Sequence, residues 1–466
     1  MDDDTLVALA FAAYLISIGV IGLIGYRRTQ DASGFILAER KLSYWVTALS
    51  AGASDMSGWL LLGLPGLAYI SIFESVWVAV GLFLGTYLNW RFVARPLREN
   101  SERYGNALTI PEYFERRFND DTRILRTFSA LCILLFFVFY TAAGLVAGGK
   151  LFSASFGVTY VNAVVITTAL IVSYTAFGGF LAVVWSDALQ AIMMFFALAI
   201  VAILALSYGL EPDTALKAEP LLPSRPQSFS VIVIISSLAW GLGYLGQPHI
   251  LTRFMAIRSP EKLHAARRLA LGWTIICLSA AVIVGYSARS MLEFPLTASS
   301  SEQVFIHLIH FLLHPAAAGV CLAAILAAIM STADSQLLVA ASALTHDLSG
   351  DSTKRAGGAL GYHRAAVVLI CVIAASLALD PDAMVFELVA YAWAGFGAAL
   401  GPCVIMSLHA PKTTKKSAIL GMLVGTITVV VWGVLEGGLF DMYALLPGFT
   451  SGLIIIFLTN AVCQKS

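Results

Sequence analysis

Long apolar runs separated by short polar connectors make up nearly the whole chain. A helix that crosses the hydrocarbon core of a bilayer needs about 20 predominantly apolar residues. Thirteen runs approach that length: 5–26, 43–70, 73–92, 126–150, 159–180, 187–208, 229–254, 269–291, 315–345, 364–379, 383–409, 417–435 and 444–463. The run at 364–379 is short, and the second and third runs are divided only around Ser71. No connector is long enough for a folded soluble domain. The pattern predicts an all-α integral membrane protein, a single domain over 1–466 with about 13 transmembrane helices.

Composition agrees. The 466 residues are 59% hydrophobic and 12% charged, with a mean hydropathy of +0.84, whereas an ordinary soluble domain carries about 25% charged residues. The 28 basic and 28 acidic residues balance, which argues against a nucleic-acid partner. The start, MDDDT, is acidic where a cleavable signal peptide would be basic, so the first run reads as a retained helix. The six cysteines are scattered without metal spacing and read as packing residues.

Orientation follows from the Lys and Arg positions. With an odd number of spans and the N-terminus outside, 24 of the 28 basic residues fall in cytoplasmic segments, eight of them arginines in 91–126. Only Lys150, Lys217, Arg225 and Arg289 remain outside. One span more or fewer would scramble this bias, so it predicts N-out, C-in.

Two spans are interrupted in mid-membrane by Gly and Pro: the second, through AGASDMSGW at 51–59 and GLPG at 63–66, and the seventh, through WGLGYLGQP at 240–248. Backbone freed from helical bonding at that depth lines a cavity or binds a ligand. Each broken span opens a set of five, 43–208 and 229–409. The second set is necessarily inverted, because five is an odd number of crossings. This predicts a 5+5 inverted repeat with a broken first helix in each repeat, preceded by an extra helix at 5–26 and followed by two helices at 417–463.

The first break also holds Asp55 in an apolar run, and an ionised Asp at mid-helix costs about 2.5–3.5 kcal/mol, so it marks an ion or substrate path. A small hard cation such as Na⁺ takes carbonyl and hydroxyl oxygens. Unwound residues 53–56 can offer carbonyls; Ser331 and Thr332 in AAIMSTADSQLL can offer hydroxyls, with the Ala328 carbonyl on the same helix patch. Those hydroxyls could equally bond back to their own helix. Trp240, Tyr244 and Pro248 recur at four-residue steps and share one side of the seventh span where it is helical. Asp187 could be an ordinary acid at a helix start, His249 a structural histidine and Arg253 a cytoplasmic or gating charge. Asp334 is given no role.

GASDMSGW near residue 55, GGFLAVVWSDALQ at 178–190, WGLGYLGQPHILTRF at 240–254 and LAAIMSTADSQLL at 326–338 together resemble the sodium:solute symporter family, and the spacing is consistent over nearly the full chain. The resemblance implies a LeuT-like fold working by alternating access. It implies Na⁺ held by the carbonyls of Ala53, Met56 and Ala328 and the hydroxyls of Ser331 and Thr332. Asp55 would be the acid required for Na⁺ coupling, its side chain one shell away from the ion. Asp187 would act in ion release or gating at the cytoplasmic start of the sixth span.

Family members that carry proline have Trp240, Tyr244 and Pro248 at the matching positions, with Ser57, Gly58, Trp59 and Tyr140 at or near the same pocket. The implied activity is Na⁺-coupled uptake of L-proline across a bacterial cytoplasmic (inner) membrane. The alternative is another small solute, such as pantothenate, a sugar or a carboxylate. The expected partners are the sodium ion, L-proline and the lipid bilayer; no obligate protein partner is inferred. An enzyme is not expected, since HExxH and GxSxG are both lacking. A receptor is not expected either, for want of a signalling domain after the last span.

Overall fold

The computed structural model describes residues 3–28, 32–208, 231–292, 295–349 and 359–463. Lys217, Arg225, Lys354, Arg355 and Lys465, counted above for orientation, and residues 229–230 of the seventh run lie outside these. Among the described residues the structure is helical throughout; the one extended pairing is a single parallel bridge between Leu42 and Ile257. Nine helices among the described residues are long and apolar enough to cross a membrane, ten with the pair Val231–Gly246 and Pro248–Ala256, which bends by 48°. The remaining three predicted runs are helical as well. Tyr160–Ala176 and Gly361–Leu377 are shorter apolar helices, and 44–70 is a broken one.

The helices used below are α1 (Asp3–Arg28), α2 (Tyr44–Gly58), α3 (Leu64–Ile70), α4 (Ile72–Leu88), α5 (Ile110–Arg117), α6 (Ile124–Phe156), α7 (Tyr160–Tyr208), α8 (Val231–Ala239), α9 (Pro248–Ala256), α10 (Leu263–Met291), α11 (Val304–Leu312), α12 (Pro315–Ser342), α13 (Ala359–Leu377), α14 (Val385–His409), α15 (Lys415–Trp432) and α16 (Leu445–Cys463). Helix α12 is the central post: 83% of its most apolar window is buried, against 22% for α1 and 33% for α16. Its alanines make this possible, since small side chains let helices approach closely where lipid supplies no hydrophobic drive. At the second break the approach is closer still. A Cβ on Gly241 would collide with the Gly81 carbonyl, and one on Gly85 with the Gly241 backbone. Glycine there lets α4 lie against the unwound chain.

Two buried ionic clusters tie the connecting segments to the bundle. On one end, Lys150 and Glu302 pair at 2.6 Å, both almost completely buried. Glu302 also accepts the free N–H groups of Val385 (2.9 Å) and Phe386 (2.8 Å) at the start of α14. Lys150 is therefore not a loop residue. Helix α6 runs on to Phe156, past the predicted end at 150, because Glu302 gives the ammonium a partner inside the protein. At the other end Arg126 bridges Asp347 (2.9 Å) and Glu115 (2.8 Å), and Thr109 donates to Asp347 at 2.8 Å.

Glu112 on α5 belongs to the same cluster. Burial alone would raise its carboxyl, but His346, the Leu108 N–H and Arg116 outweigh burial and hold it down at about 2. Its contribution is thus present in full above the ordinary glutamate range and is lost only as the pH falls toward about 2.

Removing one member of a buried ion pair costs about 3–5 kcal/mol, because the other charge is left unpaired. Lys150→Met is expected to lower stability by that order, measured by unfolding in mixed detergent micelles. Lys150→Met combined with Glu302→Gln is expected to recover part of the loss.

Candidate functional site

Helix α2 ends at a backbone outlier. Ser57 has φ 49° and ψ −173°, a conformation close to glycine's own that costs about 1–3 kcal/mol for another residue. Its hydroxyl offsets part of this by accepting the Trp59 N–H at 3.0 Å, and the chain continues through one wide turn, Trp59–Gly63, into α3. Gly58 has no room for a side chain: a Cβ would meet Ile329 at 2.9 Å and Ala147 at 3.1 Å. The break is therefore pressed against α12 and α6.

On that contact the predicted ion ligands meet. Ser331 donates to the Ala53 carbonyl at 2.9 Å and to the Ala328 carbonyl at 3.0 Å, and Thr332 reaches the Ala53 carbonyl at 3.3 Å. Four of the five expected ligands, Ala53, Ala328, Ser331 and Thr332, thus converge from two helices. All four oxygens are neutral, hard donors suited to a small monovalent cation. The fifth residue, Met56, is buried beside them, but its carbonyl accepts the Trp59 N–H within the turn.

The Asp55 carboxylate lies on the other side, accepting the Tyr244 hydroxyl at 2.6 Å, while Tyr140 donates to the Asp55 carbonyl at 3.2 Å. Asp55 therefore joins the two breaks directly, since Tyr244 sits in the tight-turn segment Trp240–Gly246 between α8 and α9. Trp59 stacks on Trp240, with ring centroids 5.5 Å apart. Tyr244 meets Trp393 edge-on at 5.0 Å, and the Trp393 indole donates to the Trp240 carbonyl at 2.7 Å. Pro248 opens α9 and, with Thr252, Leu338 and Ser342, lines a narrow cleft beside the second break.

Asp187 departs from expectation. It does not begin a helix: the second half of α7 starts at Gly179, where φ is 65°, and Asp187 lies two turns further in, wholly buried. It accepts from Ser50 at 2.6 Å and pairs with Arg253 at 3.0 Å. Arg253 is likewise fully buried and reaches Ser50 (3.1 Å), the His249 carbonyl (2.8 Å) and Ser335. A buried guanidinium requires such a set of partners. The expected cytoplasmic arginine is thus a link among α2, α7, α9 and α12.

Asp334 is buried too, bonded to Thr175. The sequence offered one clue to this cluster: Ser50 shares a helix face with Ser54, one turn before Asp55.

Neutral oxygens gathered at a broken helix, in an apolar helical bundle, suit a membrane transporter that handles a small cation. The family model described as the sodium:solute symporter family matches residues 35–425. The chain is 44% identical to a sodium/proline symporter of Salmonella typhimurium, covering 97% of this chain and 93% of that one. It is 43% identical to the high-affinity proline transporter PutP of Bacillus subtilis, covering 96% of each. The chain belongs to the sodium:solute symporter family. Among solved structures it resembles a Na⁺-coupled sialic acid symporter (TM-score 0.77, 17% identity, 99% of this chain and 98% of that one). It also resembles MhsT in complex with L-phenylalanine (TM-score 0.53, 15% identity, 90% and 98%). These likenesses place it in the LeuT-like transporter fold.

An intramolecular hydrogen bond contributes about 0.5–1.5 kcal/mol net. Tyr244→Phe and Asp55→Asn, made singly and together, are expected to show a coupling of that order in a double-mutant cycle read by unfolding in mixed micelles.

Proposed function

We propose that the chain is a secondary active transporter that couples Na⁺ entry to uptake of L-proline across the bacterial cytoplasmic membrane by alternating access. The observation that carries this reading is the identity of 40–44% over nearly the full length to relatives named for proline transport. The architecture proposed with it is thirteen spans, N-terminus outside and C-terminus cytoplasmic. Two inverted repeats, 43–208 and 229–409, are flanked by helices at 5–26 and 417–463.

In this reading Na⁺ takes the oxygens of Ala53, Ala328, Ser331 and Thr332, with Met56 contributing its carbonyl when the turn adjusts. Asp55 stabilises the cation from one shell out and, through Tyr244, passes the state of the ion site to the second break. Proline lies between the breaks. Its compact ring suits the aromatic wall of Trp59, Trp240, Tyr244 and Tyr140. Its carboxylate suits the exposed N–H groups of a half-helix start such as Ser57–Gly58, and its ammonium suits carbonyls or an aromatic face. Pro248 borders the path beyond. Asp187 serves release or gating through its pair with Arg253.

The driving force is adequate. One Na⁺ crossing about 100 mV releases ~2.3 kcal/mol, and a roughly tenfold gradient adds ~1.4 kcal/mol. At one-to-one coupling with a net-neutral zwitterion, the total of ~3.7 kcal/mol supports accumulation of about 500-fold.

Proteoliposomes are expected to take up labelled proline saturably with Na⁺ and not with choline; uptake indifferent to that exchange would overturn the proposal. Ser331→Ala should raise the Na⁺ needed for half-maximal uptake by about tenfold or more, the loss of roughly 1.4 kcal/mol of binding. Tyr244→Ala should mainly weaken proline. Competition by a panel of solutes distinguishes proline from pantothenate, sugars and carboxylates.

A further inference from the structure

Helix α16 lies outside both proposed repeats, yet the residue leading into it touches the proposed substrate wall. The Tyr443 ring stacks on Trp240 with centroids 5.0 Å apart and planes 19° from parallel. Trp240 therefore stacks with two rings, Tyr443 and Trp59. Phe386, at the start of α14, packs on both indoles, 5.2 Å from Trp240 and 6.3 Å from Trp59.

Tyr443 is itself fixed at two polar points. Its hydroxyl donates to the Ala390 carbonyl of α14 at 2.7 Å, and its N–H donates to the Ser236 hydroxyl of α8 at 3.1 Å. One residue is therefore bound to the half-helix before the second break, to α14, and to the face of the tryptophan between them.

We propose that Tyr443 is a positioning residue for substrate selection: by stacking on Trp240 it sets the depth of the aromatic pocket and so the size of ring the site accepts. The inference rests on the assignment of Trp240 to the substrate wall. Stacked aromatic rings prefer a fixed offset, so the indole of Trp240 cannot swing back from a larger ligand without leaving Tyr443. The two hydrogen bonds keep Tyr443 from retreating with it. The plane of Trp240 is thus imposed by α14 and α16, elements that belong to different parts of the proposed topology. Tyr443 touches Trp240 rather than the ligand, so its effect should appear in affinity and selectivity and not in sodium dependence.

The test is uptake of proline and of its six-membered-ring analogue pipecolate, at saturating Na⁺, by purified protein in proteoliposomes. Tyr443→Ala is expected to raise KM for proline by about tenfold with kcat little changed, and to narrow the preference for proline over pipecolate. Half-saturating Na⁺ should stay within about twofold, since the stack has no contact with the oxygens at Ala53. Tyr443→Leu, which fills the space without a ring, should shift KM the same way, and Tyr443→Phe, which keeps the ring, should restore most of the affinity.

Trp240→Ala is measured alongside. If it raises KM while Tyr443→Ala and Tyr443→Leu keep wild-type KM and selectivity, the inference is overturned and the substrate wall stands. If Trp240→Ala itself leaves proline KM unchanged, the substrate-wall assignment falls and the inference with it.

Discussion

The Ala53 carbonyl is the point on which the rest of the structure depends. This carbonyl, four residues before the backbone outlier at Ser57, receives two hydroxyls from another helix. Inside lipid a freed backbone group must find a partner within the protein. Once the break exists, α12 has to be close, alanine-rich and provided with Ser331 and Thr332. Gly58 then has to be glycine, since Ile329 and Ala147 occupy the space a side chain would need.

The second break is coupled to the first by a carboxylate rather than by packing alone. Asp55 and Tyr244 connect segments 189 residues apart in the chain, and the stacked indoles of Trp59 and Trp240 run alongside. A rearrangement at either break must stretch a buried hydrogen bond in a low-dielectric setting, where such bonds are strong. The Asp187–Arg253 pair does similar work deeper on the α9 side, joining four helices at one buried charge pair. The two breaks thus share links through which a change at one reaches the other without any long relay.

How much of this was legible in the sequence varies with the physics of each feature. Spans were readable because apolar length is a property of the chain alone, and the two breaks because Gly and Pro disrupt helices wherever they fall. The Ser331–Thr332 pair was readable as hydroxyls on one helix patch, but that they would meet Ala53 depends on tertiary approach. Arg253 shows the limit. A basic residue near the end of an apolar run is explained equally well by the interface and by a buried partner, and only the arrival of Asp187, 66 residues away, decides between them. Lys150 misled for the same reason, its partner lying 152 residues on. Tyr443 offered no signal at all, because a tyrosine before a terminal span is the ordinary membrane-interface pattern.

The glycine break in α7 has a consequence for how the protein is made. From Leu151 to Ser186 the chain carries no Asp, Glu, Lys or Arg, and the two halves of α7 meet at Gly179 without a polar loop. Membrane insertion reads orientation from basic residues beside each segment, and between these two halves there are none to read. These two segments must take their direction from what was inserted before them, above all the arginine-rich stretch 91–126. With no charge between them to separate their placement, the helix that carries Asp187 depends on how the half before it is placed.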